Sequence, residues 1–238
     1  MISFIVPAHN EEFELSSTLE AIRAAASGGA QPFEIIVVDD ASTDATPQVA
    51  QQGGARVISI DRRQIAAARN AGARVAQGKH LFFVDADTRI NQTHVTEAIA
   101  ALEAGYAGGS ARVLMDGFVP LWGRVFLRAF SVLYFGLNLG AGAFLFTTRR
   151  NFDAIGGFDE QHFAGEEVYF SLALRKLGRF KVLQTPILTS GRKLRMYSAR
   201  EVFGDLFAVL LSGRRTVRSR ERLRLWYEGK RERHAAYE

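Results

Sequence analysis

The chain has no cysteine among its 238 residues, which excludes disulfides, zinc–thiolate sites and thiol nucleophiles. Any metal must then be held by carboxylates or histidine, and the five histidines show no metal-ligand spacing. Also absent are a Gly-x-Ser-x-Gly elbow, a phosphate-binding loop of the nucleotide-hydrolase type and a zinc-protease helix. With 47% hydrophobic and 23% charged residues, the composition excludes disordered and fibrous proteins. The sequence therefore predicts a globular protein stabilised by packing.

Positive charge is concentrated at one end of the chain. Residues 1–191 carry 17 Lys/Arg and 19 Asp/Glu, whereas residues 192–238 carry 13 Lys/Arg and 6 Asp/Glu. Together with the apolar stretch 202–211, this basic segment predicts an amphipathic surface for anionic lipid, and a helix packed on the body of the protein is the alternative. No Lys or Arg precedes the first apolar run and Glu11-Glu12 follows it, so we expect no secretory signal and a cytoplasmic protein. The basic segment would make this protein peripheral on the inner face of the plasma membrane.

Predicted strands and helices alternate along the chain. Short apolar, β-branched runs predict strands, and apolar residues three and four apart predict helices. This alternation is typical of an α/β fold with a mostly parallel sheet covered by helices. The predicted strands are 2–7, 33–38, 55–60, 80–84, 107–114 and 180–185, and the predicted helices are 13–26, 45–53, 64–77, 93–104 and 166–176.

The region 119–146 is strongly apolar, and residues 129–148 contain no charge. Twenty such residues are long enough for a membrane span. The polar and small residues within them favour a buried helix followed by a strand; these are Gly136, Asn138, Gly140, Gly142, Thr147 and Thr148. We find no linker that would divide the chain, and we expect one domain with a C-terminal extension.

Acidic residues directly follow three of the predicted strands. Glu11 follows the first, the pair Asp39-Asp40 ends the second, and Asp85 and Asp87 follow the fourth. Ligands of parallel α/β sheets bind at the carboxyl ends of the strands, so these carboxylates are expected to converge there. They would repel each other unless a cation intervened, and oxygen ligands suit magnesium or manganese. The sequence therefore predicts a divalent metal site at this edge.

Each of these motifs also has a structural explanation. The segment 85–87 can be a solvated turn, and Ser42, Thr43 or Asp44 can cap the following helix. Arg69 can form a surface ion pair, or it can neutralise the carboxylates or bind phosphate oxygens. Glu166-Glu167 begins a predicted helix, where acids are common, but such a carboxylate can also accept a proton from an attacking hydroxyl.

Five segments together resemble the family 2 glycosyltransferases in residue type, order and spacing: 6–12, 37–44, 68–72, 85–87 and 165–167. The resemblance covers about residues 1–190 and implies the GT-A fold. It implies a nucleotide-binding half over residues 1–88 and an acceptor half over residues 89–190. Residues 191–238 would then form a basic helical C-terminal extension.

The resemblance also implies roles for individual residues. Asp87 would bind a divalent cation, Mn²⁺ or Mg²⁺, that bridges the diphosphate. Glu167 would be the general base with Glu166 as its neighbour, although the family usually carries Glu-Asp at these positions. Many members place a histidine that completes the metal site within the segment 189–193, and this chain has no histidine there. The metal would then depend on Asp87, phosphates and water, or Arg192 and Lys193 would neutralise the diphosphate. The nucleotide sugar would contact Pro7, Ala8, His9, Glu11, Asp39, Asp40, Arg69, Asp85, Ala86 and Arg192.

The implied reaction is an inverting transfer of a sugar from a nucleotide-sugar donor, UDP-sugar by default, to a sugar or lipid-linked acceptor. Two other functions stay open. A sugar-phosphate nucleotidyltransferase shares the general architecture, but the loop 7–11 lacks the glycines that such an enzyme would carry. A nucleic-acid-binding module would use the basic C-terminal segment, which lacks interleaved aromatic residues apart from Trp226 and Tyr227. We therefore expect no nucleic-acid partner.

Overall fold

A computed structural model describes residues 1–29, 31–117, 123–124 and 139–192. These residues form eight strands and six helices. The strands are β1 (Ile2–Ala8), β2 (Phe33–Asp40), β3 (Arg56–Ile60), β4 (His80–Val84), β5 (Thr88–Arg89), β6 (Gly108–Met115), β7 (Phe144–Thr148) and β8 (Phe180–Thr189). The helices are α1 (Leu15–Ser27), α2 (Thr46–Gln52), α3 (Ile65–Val75), α4 (Gln92–Glu103), α5 (Arg149–Ile155) and α6 (Glu166–Leu177).

All eight strands belong to one sheet, in the order β3-β2-β1-β4-β7-β6-β8-β5. Strands β1 to β4 are mutually parallel, and β6 pairs parallel with β8. Only β7 and β5 pair antiparallel with their neighbours. The α/β fold with a mostly parallel sheet flanked by helices is confirmed. The strand β5 and the helix α5 were not predicted, because two and seven residues are too few to show a clear hydrophobic period.

Each face of the sheet carries its own hydrophobic core. The fully buried Phe4 and Val6 of β1 face the core that contains α1 and α4, whereas Ile5 faces the core that contains α3, α5 and α6. In the second core, Phe158 stacks on Phe170 of α6 with ring centroids 4.1 Å apart. Because Phe170 is also fixed against the sheet, the beginning of α6 is held close to the end of β4.

Helix α3 packs directly on the sheet because it carries a glycine at the contact. A Cβ atom at Gly72 would clash with the side chain of Ile5. Two residues earlier, the Asn70 amide nitrogen donates to the carbonyl of Phe158, and its Oδ1 accepts from the Phe158 N–H, each at 2.9 Å. The segment 68–72 therefore fixes both the position of α3 and the loop that leads to α6.

Several predictions lie partly or wholly outside the described residues. Of the apolar region 119–146, residues 123–124 and 139–146 are described, and β7 begins in the latter. No helix in the described ranges is long and apolar enough to cross a membrane. Residues 193–238, including Lys193 and the basic C-terminal segment, are not described, and the boundary between residues 88 and 89 stays a prediction.

Candidate active site

A cleft lies at the carboxyl ends of β1, β2 and β4, at the predicted edge of the sheet. Its lining includes most of the residues predicted to contact a nucleotide sugar, as well as Asp87, but not Asp39 or Arg69. The lining residues are Pro7, Ala8, His9, Glu11, Asp40, Arg63, Gln64, Ile65, Ala68, Asp85, Ala86, Asp87 and Arg192.

Four of these lining residues, Arg63 to Ile65 and Ala68, were missed by the sequence analysis. They follow β3, which is parallel to β2 and therefore ends at the same edge. The rule that pointed to the ends of β1, β2 and β4 applies equally to β3, so the sequence contained the necessary signal.

The carboxylate of Asp40 is engaged by the backbone of the loop before α3. Its Oδ1 accepts from the N–H groups of Arg62 and Arg63, and its Oδ2 accepts from the N–H of Gln64, each at 2.7 Å. The neighbouring Asp39 accepts from the N–H of Ser42 at 3.2 Å. Both acids therefore fix loops at this edge, and of the two only Asp40 lines the cleft.

The loop after β1 is tied to the loop after β2. Ser42 accepts from the N–H of Asn10 at 2.9 Å, and Thr46 accepts from the N–H of Glu11 at 2.7 Å. Of the three residues predicted to cap α2, Asp44 bonds its first turn, because the N–H of Thr46 donates to Asp44 Oδ1 at 3.0 Å. The capping by Ser42 and Thr43 is wrong, since neither residue bonds the beginning of α2. The ring of His9 is fixed beside the cleft, with its Nδ1 at 2.7 Å from the Asp40 carbonyl oxygen.

Arg69 of α3 is fully buried and joins the cleft to the beginning of α6. Its NH1 donates to Glu166 Oε1 at 2.7 Å, and its NH2 donates to Asp85 Oδ1 at 2.8 Å and to the Gly142 carbonyl at 2.9 Å. Burial lowers the pKa of Arg69, but the carboxylates of Asp85 and Glu166 outweigh this effect and raise it overall. The alternative of a surface ion pair for Arg69 is wrong.

Glu166 and Glu167 open α6 after Gly165, whose φ of 71° lies in the left-handed region. Glu166 is only 4% exposed and its Oε1 lies 2.7 Å from Arg69 NH1. Glu167 lies beside Gly142, where a Cβ atom would be 3.7 Å from Glu167 Cγ. Burial and then repulsion by Glu166 raise the pKa of Glu167 to about 8.

Asp87 lies at the mouth of the cleft among partners from the end of β8. The Thr189 hydroxyl donates to Asp87 Oδ1 at 3.2 Å, and Arg192 NH2 lies 3.3 Å from Oδ2. The same NH2 donates to Glu11 Oε1 at 2.5 Å. Asp87 and Glu11, which follow different strands, therefore share one guanidinium. The alternative of a freely solvated turn at residues 85–87 is wrong.

The donor chemistry of Asp87 fits magnesium or manganese. A carboxylate offers about four lone-pair positions, and Thr189 and Arg192 together use two of them. These metals commonly bind one or two carboxylates together with waters and substrate phosphates. In the described part of the chain, no group of three or more His, Asp or Glu side chains could hold a metal, so most ligands would come from a substrate and water.

Comparison with known proteins identifies the family. A family model for glycosyl transferase family 2 matches residues 3–162. The succinoglycan biosynthesis protein ExoO of Rhizobium meliloti is 30% identical over 203 residues, which cover 80% of this chain and 57% of that protein. The chain therefore spans little more than half the length of this relative.

Solved glycosyltransferase structures share the fold. The mannosyltransferase PcManGT from Pyrobaculum calidifontis, in complex with GDP-Man and Mn²⁺, superposes with a TM-score of 0.65 at 18% identity, covering 90% of this chain and 62% of that one. S. aureus TarS 1-349, in complex with UDP-GlcNAc, gives 0.63 at 21% identity, covering 89% and 66%. Because the family model spans most of the described residues and the fold agrees with it, this chain belongs to the family 2 glycosyltransferases.

Proposed function

We propose that this chain transfers a sugar from a nucleoside diphosphate sugar to an acceptor hydroxyl, with inversion at the anomeric carbon. The observation that carries this proposal is the cleft at the strand ends, which Arg69 links through Asp85 to the beginning of α6, where the pKa of Glu167 is raised to about 8. A pKa near the working pH suits a general base. The nucleotide sugars bound by PcManGT and TarS support such a donor, and a UDP-sugar is the default.

The proposed reaction is a single displacement. The acceptor hydroxyl gives its proton to the ionised carboxylate of Glu167 while its oxygen attacks the anomeric carbon. The bond between that carbon and the diphosphate oxygen breaks, and the electron pair leaves with the diphosphate. Attack opposite the leaving group inverts the configuration. A divalent cation held by Asp87 supplies positive charge for the leaving diphosphate when it is bound.

Arg69 is proposed as a positioning residue and not as a ligand of the diphosphate. Both of its terminal nitrogens already donate to Asp85, Glu166 or Gly142, and its side chain is 1% exposed. It fixes Asp85 at the donor side and Glu166 at the base side. Its positive charge lowers the pKa of Glu167, but burial and the charge of Glu166 outweigh this effect.

The end of β1 is proposed to bind the nucleoside of the donor. Pro7, Ala8 and His9 would contact it there, together with Asp40. We further propose that residues 1–88 bind the nucleotide and residues 89–190 the acceptor. A sugar or lipid-linked acceptor and attachment to an anionic membrane from the cytoplasmic side belong to the same proposal.

The test is the release of nucleoside diphosphate from UDP-sugars and GDP-Man in the presence of simple sugar acceptors. Glu167→Gln is expected to reduce kcat by about 10²- to 10⁴-fold with little change in KM, because it removes the base without removing donor contacts. Asp153→Asn, on α5 with a side chain that is 62% exposed, is the matched control. Wild-type turnover by the Glu167→Gln variant would contradict the assignment, and failure of the wild type to bind any nucleoside diphosphate would overturn the function.

A further inference from the structure

Arg192 holds a position that a metal ion would also require. Its NH2 donates to Glu11 at 2.5 Å and lies 3.3 Å from Asp87, so one guanidinium bridges the two carboxylates at the cleft mouth. All three side chains are less than 20% exposed. Burial lowers the pKa of Arg192, but Glu11 and Asp87 outweigh that effect and raise it, so the group is a permanent cation.

The cleft needs this cation because of its charge balance. Among its acidic lining residues, Asp40 is satisfied by backbone N–H groups and Asp85 by Arg69. Glu11 and Asp87 both pair with Arg192, which carries one positive charge, and the lining also contains Arg63. A diphosphate that entered beside Glu11 and Asp87 would be repelled by these two carboxylates unless Arg192 turned towards it or a metal entered with it.

Arg192 and a metal cannot both use Asp87 without mutual repulsion. A Mg²⁺ or Mn²⁺ ion binds a carboxylate oxygen at about 2.1 Å, which would place it next to the guanidinium. A diphosphate offers the arginine better partners, since the planar guanidinium fork matches phosphate oxygens. When Arg192 turns to the diphosphate, Asp87 becomes available to the metal.

We propose that Arg192 and the divalent cation alternate on Asp87. In the free chain, Arg192 bridges Glu11 and Asp87, and a bound diphosphate takes over its guanidinium and opens Asp87 to the metal. The inference rests on the proposed function, because it takes the diphosphate of the donor as the second ligand. It implies that diphosphate and metal each strengthen the binding of the other by more than their direct contact provides.

Calorimetry on the full chain tests the exchange in three titrations: Mn²⁺ into the free protein, UDP into the protein with a chelator, and Mn²⁺ into the UDP-saturated protein. We expect Arg192→Gln to bind Mn²⁺ alone about tenfold more tightly and UDP alone about tenfold more weakly than the wild type. The enhancement of Mn²⁺ binding by UDP should fall about tenfold. The diphosphate coordinates Mn²⁺ directly in the wild type and in Arg192→Gln alike. The difference between the two proteins in how far UDP enhances Mn²⁺ binding therefore measures the effect of Arg192.

Two variants serve as controls. Arg150→Gln removes an exposed arginine of α5. This helix follows the end of β7 that pairs with the beginning of β4, at the edge of the sheet opposite the cleft. The variant should therefore match the wild type in all three titrations. Arg192→Met retains the apolar stem and replaces Arg192→Gln should that variant fail to show a native circular dichroism spectrum and melting transition.

Equal Mn²⁺ affinity of the free wild type and the Arg192 variant would overturn the exchange, as would equal UDP affinity without metal. These outcomes are distinct from failure of the proposed function, in which the wild type shows neither UDP binding nor turnover. The Mn²⁺ titration of the free protein needs no nucleotide, so it tests the competition at Asp87 in either case.

Discussion

The raised pKa of Glu167 makes a prediction about stability that needs no substrate. Burial is the larger cause, and the neighbouring Glu166, which pairs with Arg69 at 2.7 Å, adds to it. The pKa of Glu167 therefore rises from 4.5 to about 8 on folding. Glu167→Gln replaces the acid by a neutral group of the same shape that does not titrate.

The sign of the effect follows from proton linkage. The folded chain binds the Glu167 proton more tightly than the unfolded chain, so this proton stabilises the fold fully below the unfolded pKa. The stabilisation is lost as the pH rises through the folded pKa of about 8. At about 1.4 kcal/mol for each pKa unit, the loss across this window is about 3–5 kcal/mol. The glutamine variant lacks this loss.

Urea denaturation of the wild type and Glu167→Gln between about pH 5 and pH 9 measures the difference directly. We expect the wild type to lose free energy of unfolding relative to the variant as the pH rises. Glu20→Gln, an exposed change on α1, controls for the loss of any single carboxylate. A difference between wild type and Glu167→Gln that stays constant with pH would refute the raised pKa and, with it, the argument for the base.

Three further changes probe the other acids. Arg69→Met leaves Asp85 and Glu166 uncompensated and should cost about 3–5 kcal/mol of unfolding free energy in urea, and a loss below about 1 kcal/mol would contradict the buried network. Asp40→Ala removes the acceptor of three backbone N–H groups and should speed hydrogen exchange of the amides at 62–64, whereas unchanged exchange would refute that contact. Asp87→Asn should weaken Mn²⁺ binding to the UDP-bound chain by at least about tenfold in calorimetry, and wild-type affinity would exclude Asp87 as its ligand.

Local patterns were sufficient to predict the parallel part of the sheet. Strands β1, β2 and β4 are short apolar runs separated by helices with clear periodicity, and the order of strands β1 to β4 along the chain follows from that alternation. The antiparallel insertion of β7 between β4 and β6 could not be predicted. Residues 144–148 are apolar in either direction of pairing, so their sequence does not encode strand orientation.

The acids of the site were found by the same reasoning, but their partners were not. Asp40 is satisfied by amides 22 to 24 residues away, and Asp85 by Arg69, 16 residues earlier. Ser42 accepts from Asn10, 32 residues away. Such contacts depend on how strands and loops meet in space, and a local motif does not specify them. The sequence therefore located the edge of the sheet that matters and left the charge state of each acid open.

Bonding partners within the protein explain how an acidic cleft can receive an anionic donor. Asp40 accepts from three backbone N–H groups, Asp85 pairs with Arg69, and burial and Glu166 raise the pKa of Glu167 to about 8. Glu11 and Asp87 are the acids of the lining that share Arg192, a cation within reach of an entering ligand. The positive charge that a diphosphate requires can therefore be supplied at the cleft mouth by Arg192, by a metal on Asp87, or by both in succession. Only the third possibility, in which Arg192 and the metal act in succession, predicts that replacing Arg192 strengthens metal binding and weakens diphosphate binding.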